Sequence, residues 1–258
     1  MQTFVANRQR VRAATLLLAF ILFPVTIFYF SPYIPIDGAL NGVINGSLIV
    51  FGLMFLASLA VGRLYCGWLC PGAGQMEAGF AMNAKPFNRK FRWIKWAIWI
   101  PWLGAIATLA IVSGGYHTVD PFFHIPGGVS LVHPVAYVIY FAVTGLTFAL
   151  SILAGRRGFC HTVCWMAPFM ILGRKVSNGL RLPALRLRVT DKACVSCHRC
   201  DRHCPMSLPV SRMVEAGNME SSDCILCGNC IDSCQKKVIA YQFGRPDQAR
   251  GKAESLAR

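Results

Sequence analysis

The sequence predicts an α-helical membrane protein, four transmembrane helices arranged as two parallel-repeat hairpins, with a small α+β domain at its C-terminal end. Three observations carry this. Of the 258 residues, 55% are hydrophobic and only 14% charged, against roughly 25% charged in an ordinary soluble domain. Four long stretches hold no charge at all. The acidic residues are segregated: Asp37, Glu77 and Asp120 alone precede residue 190, and the other eight fall in the last 68 positions.

Arg12 to Asp37 encloses 24 uncharged residues, Asp37 to Arg63 encloses 25, Lys95 to Asp120 encloses 24 and Asp120 to Arg156 encloses 35. A helix rises about 1.5 Å per residue, so about 20 residues cross a hydrocarbon core of about 30 Å. Each stretch is long enough for one span. The helices are expected near 12–30, 44–62, 96–113 and 135–154, with kinks at Pro24 and Pro101 that neighbouring helices can accommodate. Trp93, Trp96, Trp99 and Trp102 mark an interfacial belt and packing face on the third.

Orientation follows from lysine and arginine. Arg8, Arg10 and Arg12 precede the first helix, six basic residues from Arg63 to Lys95 lie between the second and third, and seventeen follow the fourth; the loops 31–43 and 114–134 hold none. Both termini and the C-terminal domain are therefore expected on the cytoplasmic side of a prokaryotic inner membrane, in a four-pass protein. Residues 1–30 do not read as a cleaved signal peptide, because the apolar run is too long and no small-residue site precedes Pro32. The net charge of +15 belongs to these membrane flanks, so the bilayer is an expected partner and nucleic acid is not.

The twelve cysteines fall in tight runs, an arrangement of metal ligands rather than of a disulfide scaffold. Residues 194–205 read Cys-Val-Ser-Cys-His-Arg-Cys-Asp-Arg-His-Cys-Pro and 224–234 read Cys-Ile-Leu-Cys-Gly-Asn-Cys-Ile-Asp-Ser-Cys. Both are C-x2-C-x2-C-x3-C, the pattern in which three cysteines wrap one iron–sulfur cubane and the fourth serves the other cluster. Crossed ligation assigns Cys194, Cys197, Cys200 and Cys234 to one [4Fe–4S] cluster, and Cys224, Cys227, Cys230 and Cys204 to a second. Structural zinc pairs two C-x2-C units per site and would leave the middle cysteine of each run surplus. His198 and His203 read as solvated or hydrogen-bonded to cluster sulfur. The C-terminal unit is thus a bacterial-type two-[4Fe–4S] ferredoxin domain, expected to fold only with metal bound.

Two more pairs lie at helix ends. Cys66 and Cys70 follow the second helix, and Cys160 and Cys164 the fourth; each pair is C-x3-C after a Gly-Arg, 94 residues apart. This reads as an internal repeat. Residues four apart share a helix face, so the four thiols can converge at the cytoplasmic surface on a further metal or iron–sulfur centre. A redox dithiol and plain packing are the other readings, and soft thiolates favour copper(I), zinc or iron–sulfur. The expected organisation is a cytoplasmic segment 1–11, a membrane domain 12–175, a linker 176–190, the two-cluster domain 191–241 and a polar, disordered tail 242–258. Glu77 is a candidate for proton exchange, and His117, Asp120, His124 and His133 share one outer loop.

Cys66-Gly-Trp-Leu-Cys70-Pro71, the pair Cys160 and Cys164, and the eight tail cysteines together resemble the NapH and NosR-type membrane polyferredoxins. Trp165 stands where that family's second motif carries its proline. The resemblance implies an electron-transfer component of a quinol-linked oxidoreductase, joining the quinone pool to another redox protein or subunit in the cytoplasm, membrane or periplasm. The same cysteine pairs occur in membrane assembly proteins proposed to reduce copper. The alternative is therefore a metal-handling or assembly reductase working through Cys66, Cys70, Cys160 and Cys164.

Overall fold

The computed structural model describes residues 2–80, 82–132, 134–190 and 193–246. Helix α1 (Gln2–Ile21) breaks at Leu22, and α2 (Phe23–Thr26) with the 3-10 turn Ile27–Phe30 continues at 56° to it. Pro24 explains the break: its ring displaces the carbonyl four residues earlier and it has no amide to donate. A short helix α3 (Tyr33–Leu40) leads into strand β1 (Val43–Asn45), which pairs in parallel with β2 (Thr118–Asp120). Asn45 then caps α4 (Gly46–Val61), its side chain accepting from the Leu48 amide at 3.0 Å while its own amide donates to the Ile34 carbonyl at 2.7 Å.

Helix α5 (Leu64–Trp68) and α6 (Pro71–Phe80) follow α4. After a 3-10 turn at Arg89–Trp93, α7 (Ile94–Val112) runs through Pro101 without interruption. Next come α8 (Pro134–Leu153), α9 (Gly158–Thr162) and α10 (Met166–Gly179). Two stretches, Arg89–Val112 and Pro134–Leu153, are long and apolar enough to cross a membrane, and the bent pair Asn7–Ile21 with Phe23–Phe30 makes a third if it is one span. The 16-residue α4 is apolar but short, reaching about 24 Å at 1.5 Å per residue.

The last part is α+β. Strand β3 (Ala184–Val189) pairs antiparallel with β4 (Ile239–Gly244), in register from Ala184 opposite Gly244 to Val189 opposite Ile239. Between them lie three short helices, α11 (Arg199–Arg202), α12 (Val210–Glu215) and α13 (Asn229–Asp232). The stretch expected as a linker, 176–190, thus holds the end of α10 and all of β3, and the first three residues of the expected tail belong to β4. The rest of that tail from residue 247, and His133, lie outside the described residues.

Body and tail share one apolar core. It runs from Leu16 and Phe51 through Cys66, Cys70, Cys160 and Cys164 to Ile225, Leu226 and Val238. The junction depends on Gly67. A side chain there would collide with the Ile225 carbonyl, while Trp68 Nε1 donates to the Leu226 carbonyl at 3.1 Å and the Tyr241 hydroxyl donates to the same oxygen at 2.6 Å. Gly67→Ala is expected to displace the 224–228 loop at about 1–3 kcal/mol, the usual cost of overpacking. Faster tryptic cleavage after Arg212, with α8 unchanged, would report it.

Candidate metal centres

The two cysteine runs adopt the same backbone thirty positions apart. Ser196 and Leu226 have φ of 47° and 50°, and His198 and Gly228 have φ of 54° and 79°. These left-handed turns wind each C-x2-C-x2-C segment into a loop, and α11 and α13 then carry its third cysteine. Ser207 and Lys237 repeat the left-handed geometry three residues after each fourth cysteine. There the Leu208 amide donates to Cys204 Sγ at 3.5 Å and the Val238 amide to Cys234 Sγ at 3.4 Å.

Cys194, Cys197, Cys200 and Cys234 line one cavity of about 480 Å³. Cys204, Cys224, Cys227 and Cys230 line another of about 420 Å³, walled by Leu187, Met206, Met219 and Ile225. Among the described residues no three His, Cys, Asp or Glu side chains converge as the ligand set of a single metal ion. The sulfurs ring a volume rather than meet at a point, and four soft donors with amides aimed at sulfur fit a cubane. Without a cation, burial pushes the Cys224 thiol up to about 12 and Cys204 to about 11. The cysteines of the first cavity are the more exposed: Cys194 and Cys197 are exposed, Cys227 and Cys230 buried.

The histidines between the ligands have other partners. His198 Nδ1 lies 3.1 Å from both Asp201 Oδ2 and Ser211 Oγ, and His203 Nδ1 is 2.8 Å from the Arg199 carbonyl.

The four thiols of the body are buried, each at most 6% exposed. The C-x3-C pairs do not ride on continuous helices. Helices α5 and α9 stop before the second cysteine, whose amide bonds back to Tyr65 O in one case and Phe159 O in the other. The helices then restart with the Ala73 and Ala167 amides near Cys70 and Cys164. Burial drives both thiols up, Cys164 to about 12, with Cys66 and Cys160 adding to both and these amides opposing it. The two halves cross over: Cys66 Sγ lies 3.9 Å from Met170 Sδ, and Cys160 Sγ 3.9 Å from Met76 Sδ. Each methionine follows its own half's second cysteine by six residues, a spacing the sequence reading passed over.

Around these thiols the structure buries unbalanced positive charge. Arg63 Nη1 and Lys95 Nζ reach Asp223 Oδ1 at 3.3 and 3.2 Å, and Arg92 pairs with the same carboxylate. Glu77 takes Arg12 at 2.6 Å and also Arg157. Five cations thus face two carboxylates. Arg157 donates to the Cys66 carbonyl at 2.7 Å and Arg12 to the Gly67 carbonyl at 3.1 Å. Burial alone would raise the Glu77 carboxyl, but Arg157 and Arg12 outweigh it and hold it below the usual carboxylate range. That argues against the proton-exchange role read from its position.

His161, between the paired cysteines, is 2% exposed and stacks on Phe87 at 4.4 Å. Its ring nitrogens have no hydrogen-bond partner among the described residues, and burial beside Arg63 and Lys95 lowers its pKa to about 2, so the ring is neutral. The outer-loop residues scatter: His124 Nε2 lies 2.5 Å from Asp37 Oδ2, and Asp120 Oδ1 accepts from the Phe122 amide.

Residues 186–235 match the 4Fe-4S dicluster domain family, and residues 45–74 and 135–183 match the 4Fe-4S binding domain family. Uncharacterized protein MJ0749 of Methanocaldococcus jannaschii is 23% identical over 84% of this chain and 80% of its own length. Ferredoxin-type protein NapH of Haemophilus influenzae is 26% identical over 77% of this chain and 67% of its own. Methylamine utilization ferredoxin-type protein MauN of Methylobacillus flagellatus is 25% identical over 86% and 77%. No solved structure matches.

Two cavities ringed by four cysteines each, in regions matching iron–sulfur families, define an iron–sulfur protein of ferredoxin type. These matches and relatives support a NapH-like polyferredoxin family. Its apolar helices and those relatives suggest a membrane protein.

Proposed function

We propose that this chain is a four-pass subunit of a prokaryotic cytoplasmic membrane, passing electrons between the quinone pool and a partner redox protein through two [4Fe–4S] clusters. Cys194, Cys197, Cys200 and Cys234 hold one, and Cys204, Cys224, Cys227 and Cys230 the other. The observation that carries this is the pair of separate four-cysteine cavities, each drawing its fourth ligand from the other run. When bound, the clusters supply reversible one-electron transfer. The protein sets the chain of contacts. The buried cavity abuts the membrane thiols across Gly67, and the one with exposed cysteines faces outward beside Arg199 and Arg202, where an acidic partner surface would dock.

Cys66, Cys70, Cys160 and Cys164 are the ligand set of a third centre. Support comes from the surplus of buried cations, since an uncompensated buried charge is costly and a thiolate-ligated iron–sulfur core is net negative. The 4Fe-4S binding domain match over both pairs agrees. An anaerobic iron and sulfide count with EPR tests the whole reading. About twelve irons per chain is expected for three cubanes, about eight would confine clusters to the tail, and a folded iron-free protein would overturn it. A second reading, copper handling by an assembly reductase, is favoured by the Met76 and Met170 thioethers beside the thiols, soft donors suited to copper(I). It requires stoichiometric copper in the wild type that is lost in Cys66→Ser and Cys160→Ser.

A further inference from the structure

A pocket of about 680 Å³, its open mouth included, lies in the body against Cys70, Cys160 and Cys164. Its other walls are mostly apolar, with Phe23 and Ile27 from the broken first helix and Ile139 and Val143 from α8; Ser31 and Thr147 are the polar residues among them. Leu22, Val25 and Ile139 are exposed around it, so its rim faces the bilayer wherever α8 spans one.

The space exists because the two halves of the body are not equivalent. Helix α10 packs on α4 where Gly173 meets Ser58, and α6 packs on α8 where Gly79 meets Ser151. Seven residues before those serines stand Phe51 and Thr144, and four before them Met54 and Thr147. In the α4 half, Phe51 stacks on Phe169 at 5.3 Å, with Trp99 and Trp102 edge-on to Phe169. The counterpart of Phe169, 94 residues earlier, is Gln75. Gln75 Nε2 donates to the Thr144 carbonyl and Thr147 Oγ1 donates to Gln75 Oε1, both at 2.6 Å. Thr144 Oγ1 is buried without a hydrogen-bond partner among the described residues. Protein interiors are close-packed, and a void forfeits the contacts of its lining. One half therefore fills this position with aromatic rings, whereas the other holds Thr147, which Gln75 orients, on the wall of a chamber that Cys70, Cys160 and Cys164 also line.

We propose that this chamber binds the head group of a membrane quinone, which rests on the quinone-linked reading above. A flat ring with two carbonyls fits an apolar slot with few polar contacts, and an isoprenoid tail leaves through the bilayer-facing rim. One bound quinol is oxidised to quinone. Oxidised iron–sulfur centres held by the adjoining cysteines and by the tail would take its two electrons one each, and its two protons would go to water.

The test uses full-length, anaerobically purified protein with a short-chain benzoquinol and a naphthoquinol as probes. Thr147→Met installs the filled half's residue at a lining position, and Gln75→Phe removes the amide that holds Thr147. Each is expected to slow quinol reduction of the clusters, or to raise its half-saturation, at least tenfold, with iron content and dithionite-reducible absorbance unchanged. Ile139→Trp closes the same volume from another wall if neither variant folds. Oxidised-quinone binding is followed separately by quenching of the protein's tryptophan fluorescence, Trp165 being a lining residue. Equal rates and equal quenching in filled variants and wild type overturn the site. So does a tightly held phospholipid, seen by native mass spectrometry, that quinone does not displace. Quenching lost on filling, in a wild type that no quinol reduces, supports the chamber and sinks the electron-transfer linkage instead.

Discussion

Anaerobic removal of iron is expected to strip backbone protection from residues 193–239 while α4, α7 and α8 keep theirs. The reason lies in the loops. Ser196, His198, Ser207, Leu226 and Lys237 all hold left-handed backbone without being glycine. Such residues cost about 1–2 kcal/mol each, so the five together oppose folding by about 5–10 kcal/mol. That equals much of the 5–15 kcal/mol by which a whole domain is stable. Strain of this size persists only where the surroundings over-determine it. Here those surroundings are eight cysteines that need a cation, since burial alone drives Cys204 and Cys224 toward the neutral thiol. Coordination free energy and folding free energy are then one quantity. Helices α4, α7 and α8 hold no such left-handed residues. Hydrogen exchange on chelated and iron-loaded protein reads both regions in one experiment, and retained protection of 193–239 without iron would falsify the coupling.

How far these features were legible follows from their range along the chain. The cluster runs are local patterns, and the spacing C-x2-C-x2-C-x3-C carries its own geometric reason, so the grouping of cysteines around two cavities could be read directly. Strand β3 was missed and its stretch read as linker: Leu185 and Leu187 alternate with Arg186 and Arg188, but Arg186 is buried on Glu220 and Asn178, which hides the alternation's meaning. The parallel pair of β1 and β2 left no signal, since three residues show no periodicity. The break between α1 and α2 followed from Pro24, whereas the short α4 depends on the Asn45 cap and on Gly62, at φ 56°, ending the helix. What no spacing could disclose were pairings between distant residues: Glu77 with Arg157, Asp223 with Arg63, Gly67 under Ile225. A lone glutamate near a thiol pair looks like a proton acceptor until two guanidinium groups are found on it.

Replacing Asp223 by alanine is expected to destabilise the loaded protein by about 3–5 kcal/mol, the cost of removing one partner from a buried ion pair. Asp223 stands one residue before Cys224, yet its partners Arg63, Arg92 and Lys95 all come from the membrane body. The carboxylate therefore fastens the second cluster loop to the helix ends as well as offsetting charge. Without it three cations remain at a buried site, with Arg63 at 1% and Lys95 at 3% exposure, and the surplus rises from three to four. The thermal midpoint in detergent should fall, and the EPR signal assigned to the body thiols should weaken before that of the exposed tail cluster. Charge, rather than lost volume, is the cause, so Asp223→Ala with Lys95→Met should recover part of the loss. Coupling of that kind is what a double-mutant cycle isolates. If the two substitutions simply added, Asp223 would matter through packing alone, and the cationic shell would no longer argue for an anionic centre between the halves.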